Sequence, residues 1–345
     1  MTQLSTDPVT PAGPVAPPAA GISPGVGTAQ PDQVVLGRGG ASVWALAGAV
    51  WVVVAGQAIV RWIASPTQFQ PAPILGPDQF PLWRLAGLRI LEVLSVVVLA
   101  SFVWFCVINP LRTRGRLSLE GMFVIGGVFG SVADACLNLY TYLFAWNAHS
   151  VNRGVWTAFM PFHLAGSSTR YAEGVAWGVP MYIYFCTGAA LIGCQVVRRL
   201  RRRFPSISNP MAYGVVFVGE FCAGLLLENL IIRTTQAYGY ARTVEWLTLF
   251  PGSQYQFPVY ESLFTAGLGV AFTYVRMSAL ESPDGVSCVE RGYERWRPAL
   301  RTPIRLLAVI GFSGVVLLVM YHLPFNWLGV GGLSFADLPS YLRAG

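Results

Sequence analysis

Residues 210–232 read PMAYGVVFVGEFCAGLLLENLII. The stretch is apolar almost throughout and close to the roughly 20 residues that cross a hydrocarbon core as a helix. Yet it carries two acids, Glu220 and Glu228. A carboxylate at the bilayer centre costs roughly 2.5–3.5 kcal/mol on insertion scales. Length and apolarity make the segment a membrane span. Its acids require polar surroundings, which only other helices of a bundle can supply.

Six further segments of the same kind lie on either side: about Val43 to Ala64, Leu88 to Ile108, Gly121 to Leu143, Val175 to Val197, Tyr260 to Val275 and Ile304 to Leu323. The sixth in chain order, from Tyr260, is the shortest. Over 345 residues the chain is 54% hydrophobic and 11% charged, against about 25% charged in soluble domains. These features predict an all-α fold, a polytopic integral membrane helix bundle of about seven transmembrane helices over residues 41–323. Residues 1–40, rich in Pro, Ala and Gly and without apolar periodicity, read as a disordered tail. They lack the basic and apolar regions of a signal peptide. Residues 324–345, with Phe325, Trp327, Leu333, Phe335 and Leu338, read as an interfacial C-terminal segment.

Composition also excludes chemistry. All 23 basic residues are arginine, so no Schiff base and no P-loop lysine is available. A net charge of +7 in so apolar a chain points to membrane loops, with no nucleic-acid partner. The six cysteines form no CxxC pair, and five of them lie in apolar segments as small core residues. His149, His163 and His322 have no neighbours at metal-ligand spacing. No metal and no cofactor is implied.

Arginine placement orients the spans. Arg112, Arg114 and Arg116 follow the second, Arg198, Arg199, Arg201, Arg202 and Arg203 follow the fourth, and Arg276, Arg291, Arg295, Arg297 and Arg301 lie between the sixth and seventh. The alternate loops carry fewer. The positive-inside rule then places the N-terminus in the cytoplasm and the C-terminus outside, in a multi-pass protein of the plasma membrane.

That orientation sets the depth of the acids. Glu92 falls near the outer end of the second span, Asp134 just past the middle of the third, Glu220 near the centre of the fifth, Glu228 in its outer third and Glu261 at the outer mouth of the sixth. Groups at a shared depth can converge on one cavity. Asp134 and Asn138, four apart, share a helical face that Tyr142 continues. Glu220 and Glu228 lie about 80° apart around their helix and can border one cavity. Bland readings stand beside these: an ion pair of Glu228 with Arg233 or Arg242, and interfacial carboxylates at Glu92 and Glu261. Asp134 and Glu220 are hardest to explain that way. The candidate catalytic set is Asp134, Glu220, Glu228 and Glu261, with Asn138, Asn229, Tyr238, Tyr260, Glu92 and Arg242 as candidate substrate contacts. The outer loops 144–174 and 233–259 are rich in aromatic residues, as interfacial anchors or as a lid over a cavity.

Carboxyl groups with Asn and Tyr, but no nucleophile motif, suit acid–base chemistry on a lipophilic substrate: cyclisation, dehydration or isomerisation. A bundle within a membrane would keep bulk water from a reactive cation. The same residues also fit a proton-coupled transporter, and an integral-membrane terpene-type cyclase is a second enzymatic reading.

Several short motifs occur in a fixed order: Asp134-x-x-x-Asn138, Pro180-Met181-Tyr182, Gly219-Glu220, Glu228-Asn229, Tyr238-Gly239-Tyr240-Ala241-Arg242 and Tyr255-Gln256-Phe257-Pro258-Val259-Tyr260-Glu261. In this order they resemble the AveC-like spirocyclase family, over roughly residues 45–325. The resemblance implies a role in polyketide macrolide biosynthesis of the avermectin, meilingmycin and milbemycin type, closing a dihydroxy-ketone macrolactone into a spiroketal. It also implies that dehydratase activity accompanies cyclisation in some members. It carries no catalytic assignment residue by residue, so the site list above rests on depth and spacing. Expected partners are a lipophilic polyketide substrate and the lipid bilayer; the oligomeric state is not legible. In the expected mechanism Glu220 or Asp134 acts as acid, and Glu228 or Glu261 stabilises the oxocarbenium ion and takes the final proton.

Overall fold

The computed structural model describes residues 40–164 and 168–345. The tail expected over residues 1–40 lies outside them, except for Gly40. Among the described residues, seven helices are long and apolar enough to cross a membrane: α1 (Gly40–Ala64), α2 (Leu82–Arg114), α3 (Leu119–Asn138), α4 (Gly178–Arg203), α5 (Asn209–Thr234), α6 (Val259–Leu280) and α7 (Pro298–Val330). The segment expected to be shortest, now α6, is a full 22 residues. The third span stops at Asn138 instead of Leu143. The seventh continues to Val330, so part of the expected interfacial segment is transmembrane-length helix.

Local signals fix the ends. Gly115, at φ 64°, closes α2 by donating its N–H to the Leu111 carbonyl. Ser118 caps α3 by accepting from the Gly121 N–H at 3.1 Å, and Ser208 caps α5 ahead of Pro210. Each is a hydroxyl accepting an otherwise orphaned helix N–H. Three helices carry a π-turn: Val103–Ile108 in α2, Tyr184–Gly188 in α4 and Leu318–His322 in α7. Pro110 and Pro324 follow the first and third within two residues. A proline removes one helical N–H and crowds the carbonyl four residues back, which favours such a widened turn.

Helices α3 and α7 are central. In α3, 78% of the apolar window is buried, against 11% in α2 and α5, whose leucines and valines face outward. α7 packs on α1 and α3, α4 on α6, and α6 on α5. The α1–α7 crossing is close enough for backbones to touch: a side-chain carbon at Gly311 would collide with the Trp44 carbonyl. α5 and α6 run antiparallel in a regular register. Glu220 faces Gly269, Gly224 faces Thr265, and Glu228 faces Glu261. Small residues let this pair approach, as is usual between membrane helices.

One end of the bundle has short connections, 115–118 and 204–208, and the arginine-bearing loop 281–297. The other end carries a cap built from residues 65–81, 139–164, 168–177, 235–258 and 331–345. Its central ribbon pairs β1 (Phe144–Trp146) antiparallel with β2 (Tyr238–Tyr240), with Trp146 opposite Tyr238. Two more short pairs complete it: β3 (Arg242–Thr243) with β6 (Leu333–Ser334), and β4 (Thr248–Leu249) with β5 (Phe257–Pro258). Trp146, Trp156, Tyr171, Tyr238, Tyr240 and Phe257 are fully buried within it, so these loop aromatics do not anchor in lipid. Trp246, Phe250 and Phe162 do face outward. The C-terminal strap lies over the ribbon. Leu338, Tyr341 and Leu342 are buried against Ala145 and Ala241, and the Tyr341 carbonyl accepts the Ala148 N–H at 2.7 Å.

Candidate functional site

Two pairs of carboxyl groups lie beneath the β1–β2 ribbon. The first is a product of the α5–α6 register. Glu228 and Glu261 meet side chain to side chain. An ionised carboxylate only accepts hydrogen bonds, so a bond between two carboxyl groups needs a proton on one of them. Tyr238 donates to Glu228 Oε2 at 2.7 Å, with the Tyr240 hydroxyl at 3.5 Å. Tyr321 donates to Glu261 Oε1 at 3.3 Å, and Ser262 to Oε2 at 3.4 Å. Burial, then the nearby Glu228 charge, holds the Tyr238 and Tyr240 phenols far above their usual range, so both stay neutral donors. Glu261 is buried while Glu228 is only half-buried, on the inner edge of a helix whose other faces are open.

The second pair joins Asp134, near the end of α3, to Glu173 of the cap loop. Asp134 Oδ2 accepts the Trp146 indole N–H at 3.0 Å, and Oδ1 lies 2.6 Å from the Tyr182 hydroxyl. That hydroxyl is also 2.6 Å from His322 Nε2. Both carboxyl groups are buried, and Glu173 Oε2 has no hydrogen-bond partner among the described residues. Burial, then the Asp134 charge, raises the Glu173 carboxyl well above the ordinary range, so it is held protonated. The two centres meet on α7. Tyr321 serves the first and His322 the second, and both lie in its π-turn. Trp146 and Tyr238, facing each other across the ribbon, form the common roof.

Most of the other expected site residues lie elsewhere. Glu220 packs against Gly269 and makes no hydrogen bond or ion pair among the described residues. It stands about 12 Å along α5 from Glu228, eight residues at 1.5 Å each. Asn138 does not share a face with Asp134. The last turns of α3 wind as a 3-10 helix from Val132 to Asn138, and at three residues per turn positions four apart diverge by about 120°. The Asn138 amide instead accepts the Leu143 and Phe144 N–H groups and donates to the Phe144 carbonyl, fixing the start of β1. Tyr142 donates to the Leu342 carbonyl at 2.7 Å, tying down the strap. Asn229 donates within its own helix to Leu225. Tyr260 is buried against Phe264 and Phe325 beside the first pair.

Glu92 is buried and not free. It pairs with Arg89 at 2.5 Å and accepts the Val151 N–H at 2.7 Å, so it clamps the cap loop to α2. Arg242 donates to the carbonyls of Val330 and Gly332, and Arg233 lies 4.4 Å over the Phe250 ring. The alternative ion pair of Glu228 with either arginine is therefore not formed.

Glu173, Tyr182, Tyr321 and His322 were not among the expected site residues. Glu173 is separated from its partner by a long loop. His322 carries a signal of its own, since an ionisable residue inside a transmembrane segment points to function, although its spacing fits no metal site.

A family model described as Spirocyclase AveC-like matches residues 113–336. The chain belongs to the AveC-like spirocyclase family. The match is narrower than the 45–325 expected at its start, leaving α1 and nearly all of α2 outside, but it contains both carboxyl pairs. No curated protein and no solved structure matches the chain. Membership of the family supports a spiroketal-forming role in polyketide biosynthesis.

Proposed function

We propose that this AveC-like spirocyclase is a membrane-embedded enzyme that closes a dihydroxy-ketone polyketide macrolactone into a spiroketal by acid–base catalysis at Glu228 and Glu261. The contact between these two carboxyl groups, one on each of two antiparallel helices, is the observation that carries the reading. One proton shared by two carboxyls supplies an acid and a base side by side, as the reaction requires.

The steps balance as follows. One substrate hydroxyl adds to the ketone, its proton passing to the former carbonyl oxygen, to give a hemiketal. The protonated carboxyl gives its proton to the hemiketal hydroxyl, which leaves as water. The resulting oxocarbenium ion lies against a carboxylate, which stabilises positive charge. The second hydroxyl attacks, and its proton returns to the carboxylate. The net change is loss of one water. Since acid alone forms spiroketals, the protein contributes orientation and choice of face, with the cap excluding water.

A lipophilic substrate would enter from the bilayer beside the outward-facing α5, where Glu228 is half-buried. The arginine-rich end faces the cytoplasm in this reading and the cap faces outward across the plasma membrane. Dehydration of the product would use the same acid on a neighbouring hydroxyl.

The test uses membranes containing the full chain and a synthetic dihydroxy-ketone macrolactone. The wild type should give one spiroketal diastereomer. E228Q and E261Q should each reduce the rate to that of the uncatalysed reaction and yield a mixture. Retention of rate and stereochemistry by both variants, with the protein folded in the membrane, rejects the assignment.

A further inference from the structure

The reaction above leaves the second carboxyl pair without a task, yet Asp134 heads a line of two buried side-chain hydrogen bonds of 2.6 Å each. His322 fixes the bookkeeping. Its Nδ1 lies 2.8 Å from the Leu317 carbonyl, five residues back, as the π-turn over Leu318–His322 allows. A carbonyl oxygen only accepts, so Nδ1 carries hydrogen. Nε2 is then an acceptor if the ring is neutral and a donor if it is an imidazolium. The Tyr182 hydroxyl has one hydrogen and two close neighbours, Asp134 Oδ1 and His322 Nε2, each at 2.6 Å.

Only two arrangements satisfy every contact. In one, Asp134 is a carboxylic acid donating to Tyr182, which donates to a neutral His322. In the other, Tyr182 donates to an Asp134 carboxylate and accepts from an imidazolium. They differ by two hops: the Asp134 proton moves to the Tyr182 oxygen as the Tyr182 proton moves to Nε2. No water is needed and the total charge does not change. Tyr182 lies parallel to the His322 ring at 5.6 Å and is fully buried, which holds the line in register.

We propose that Asp134, Tyr182 and His322 form a proton relay holding a single mobile proton, and that Tyr182 and His322 are positioning residues that let Asp134 alternate between acid and base out of contact with bulk water. Four further groups surround the line: Glu173 from the cap loop, Trp146 from β1, Cys136 on α3 and Tyr321 on α7. Glu173 donates to Asp134, and its unpartnered Oε2 is an acceptor for a substrate hydroxyl brought under the ribbon. The part played in turnover rests on the acid–base reading; the relay itself does not.

Two arms keep the failures apart. The first needs no substrate: infrared spectra of the full chain in lipid vesicles, with the Asp134 carboxylic C=O band assigned by its loss in D134N, and nitrogen NMR of labelled histidine assigned by its loss in H322Q. At neutral pH the relay holds one proton, so a protonated Asp134 accompanies a neutral His322 and a carboxylate accompanies an imidazolium. Y182F should change the state of both at once. Both groups protonated, neither protonated, or both unaffected by Y182F overturns the relay. The second arm measures spiroketal formation by Y182F and H322Q. A tenfold or greater loss of rate with unchanged KM places the relay in turnover; wild-type rates remove it from the reaction. E228Q in the same assay reports separately on the cyclase reading.

Discussion

The two carboxyl pairs are alike in depth beneath the cap and share an aromatic roof, but Glu228 is half-buried where the other three acids are buried, and the pairs are assembled differently. Glu228 and Glu261 come from two regular helices in a fixed antiparallel register, and their donors are hydroxyls. Asp134 and Glu173 come from the tightened end of a helix and a long loop, and their line ends on an imidazole. A pair set by helix register is rigid and keeps its proton between two equivalent groups. A pair set by a loop and a π-turn can pass its proton to a group of different chemistry. The comparison teaches that equal depth in a bundle does not imply equal roles.

The largest expected effect separates the first pair from an acid that belongs to neither. Loss of one member of an acid–base pair costs about 10²–10⁴-fold in rate. E261Q should therefore reduce cyclisation to the uncatalysed rate, whereas E220Q, at a residue bonded to neither pair, should leave the rate near wild type. Equal losses in the two variants, measured by product formation in membranes, would erase the distinction.

Next comes the frame on which both depend. Asn138 makes three backbone hydrogen bonds that start the ribbon, and leaving such buried groups unsatisfied costs about 1–3 kcal/mol each. N138A should lower the unfolding temperature in detergent. It should also raise hydrogen exchange at Phe144–Trp146, since the roof over both pairs would lose its anchor. Gly269→Val acts on one pair alone. A side-chain carbon there would sit 2.9 Å from Glu220 Cγ, and overpacking costs about 1–3 kcal/mol. It should spread α5 from α6 and disturb Glu228–Glu261, while the Asp134 infrared signature stays unchanged.

The pH dependence distinguishes the pairs more finely. Glu173 has a raised folded-state pKa, from burial first and the Asp134 charge second. Its contribution to stability is then fully present below the unfolded value of 4.5 and is lost as pH rises towards the folded one. E173Q removes that loss, so its unfolding temperature relative to wild type should climb as pH increases above 4.5. A constant difference across pH would show that Glu173 is not held protonated. Smallest is the Arg89–Glu92 clamp, whose arginine is half-exposed. A pair of that kind contributes about 1 kcal/mol or less, so R89A should shift unfolding only slightly and leave cyclisation intact.

Much of this was legible. Apolar length set the seven helices, because a bilayer core demands about 20 apolar residues per crossing. Glu228 and Glu261 stood out because an acid in such a segment is costly wherever it lies. Their contact was not legible, because the register of α5 against α6 depends on where Gly224, Gly269 and Ser262 let the backbones approach. Asn138 was misplaced for a local reason, since a 3-10 turn rotates every later side chain away from the face an α-helix would give it.

The sequence by itself determined that this chain is a seven-helix bundle of AveC-like type with acids in its apolar core, because hydropathy and charge act locally along the chain. Only the tertiary structure decided how those acids pair. Glu173 lies across a loop of more than thirty residues from Asp134, and His322, in the π-turn of α7, meets Tyr182 from a distant part of the chain. Such contacts are set by packing of the whole bundle under its cap, and one widened turn in α7 is enough to place Tyr321 on one pair and His322 on the other.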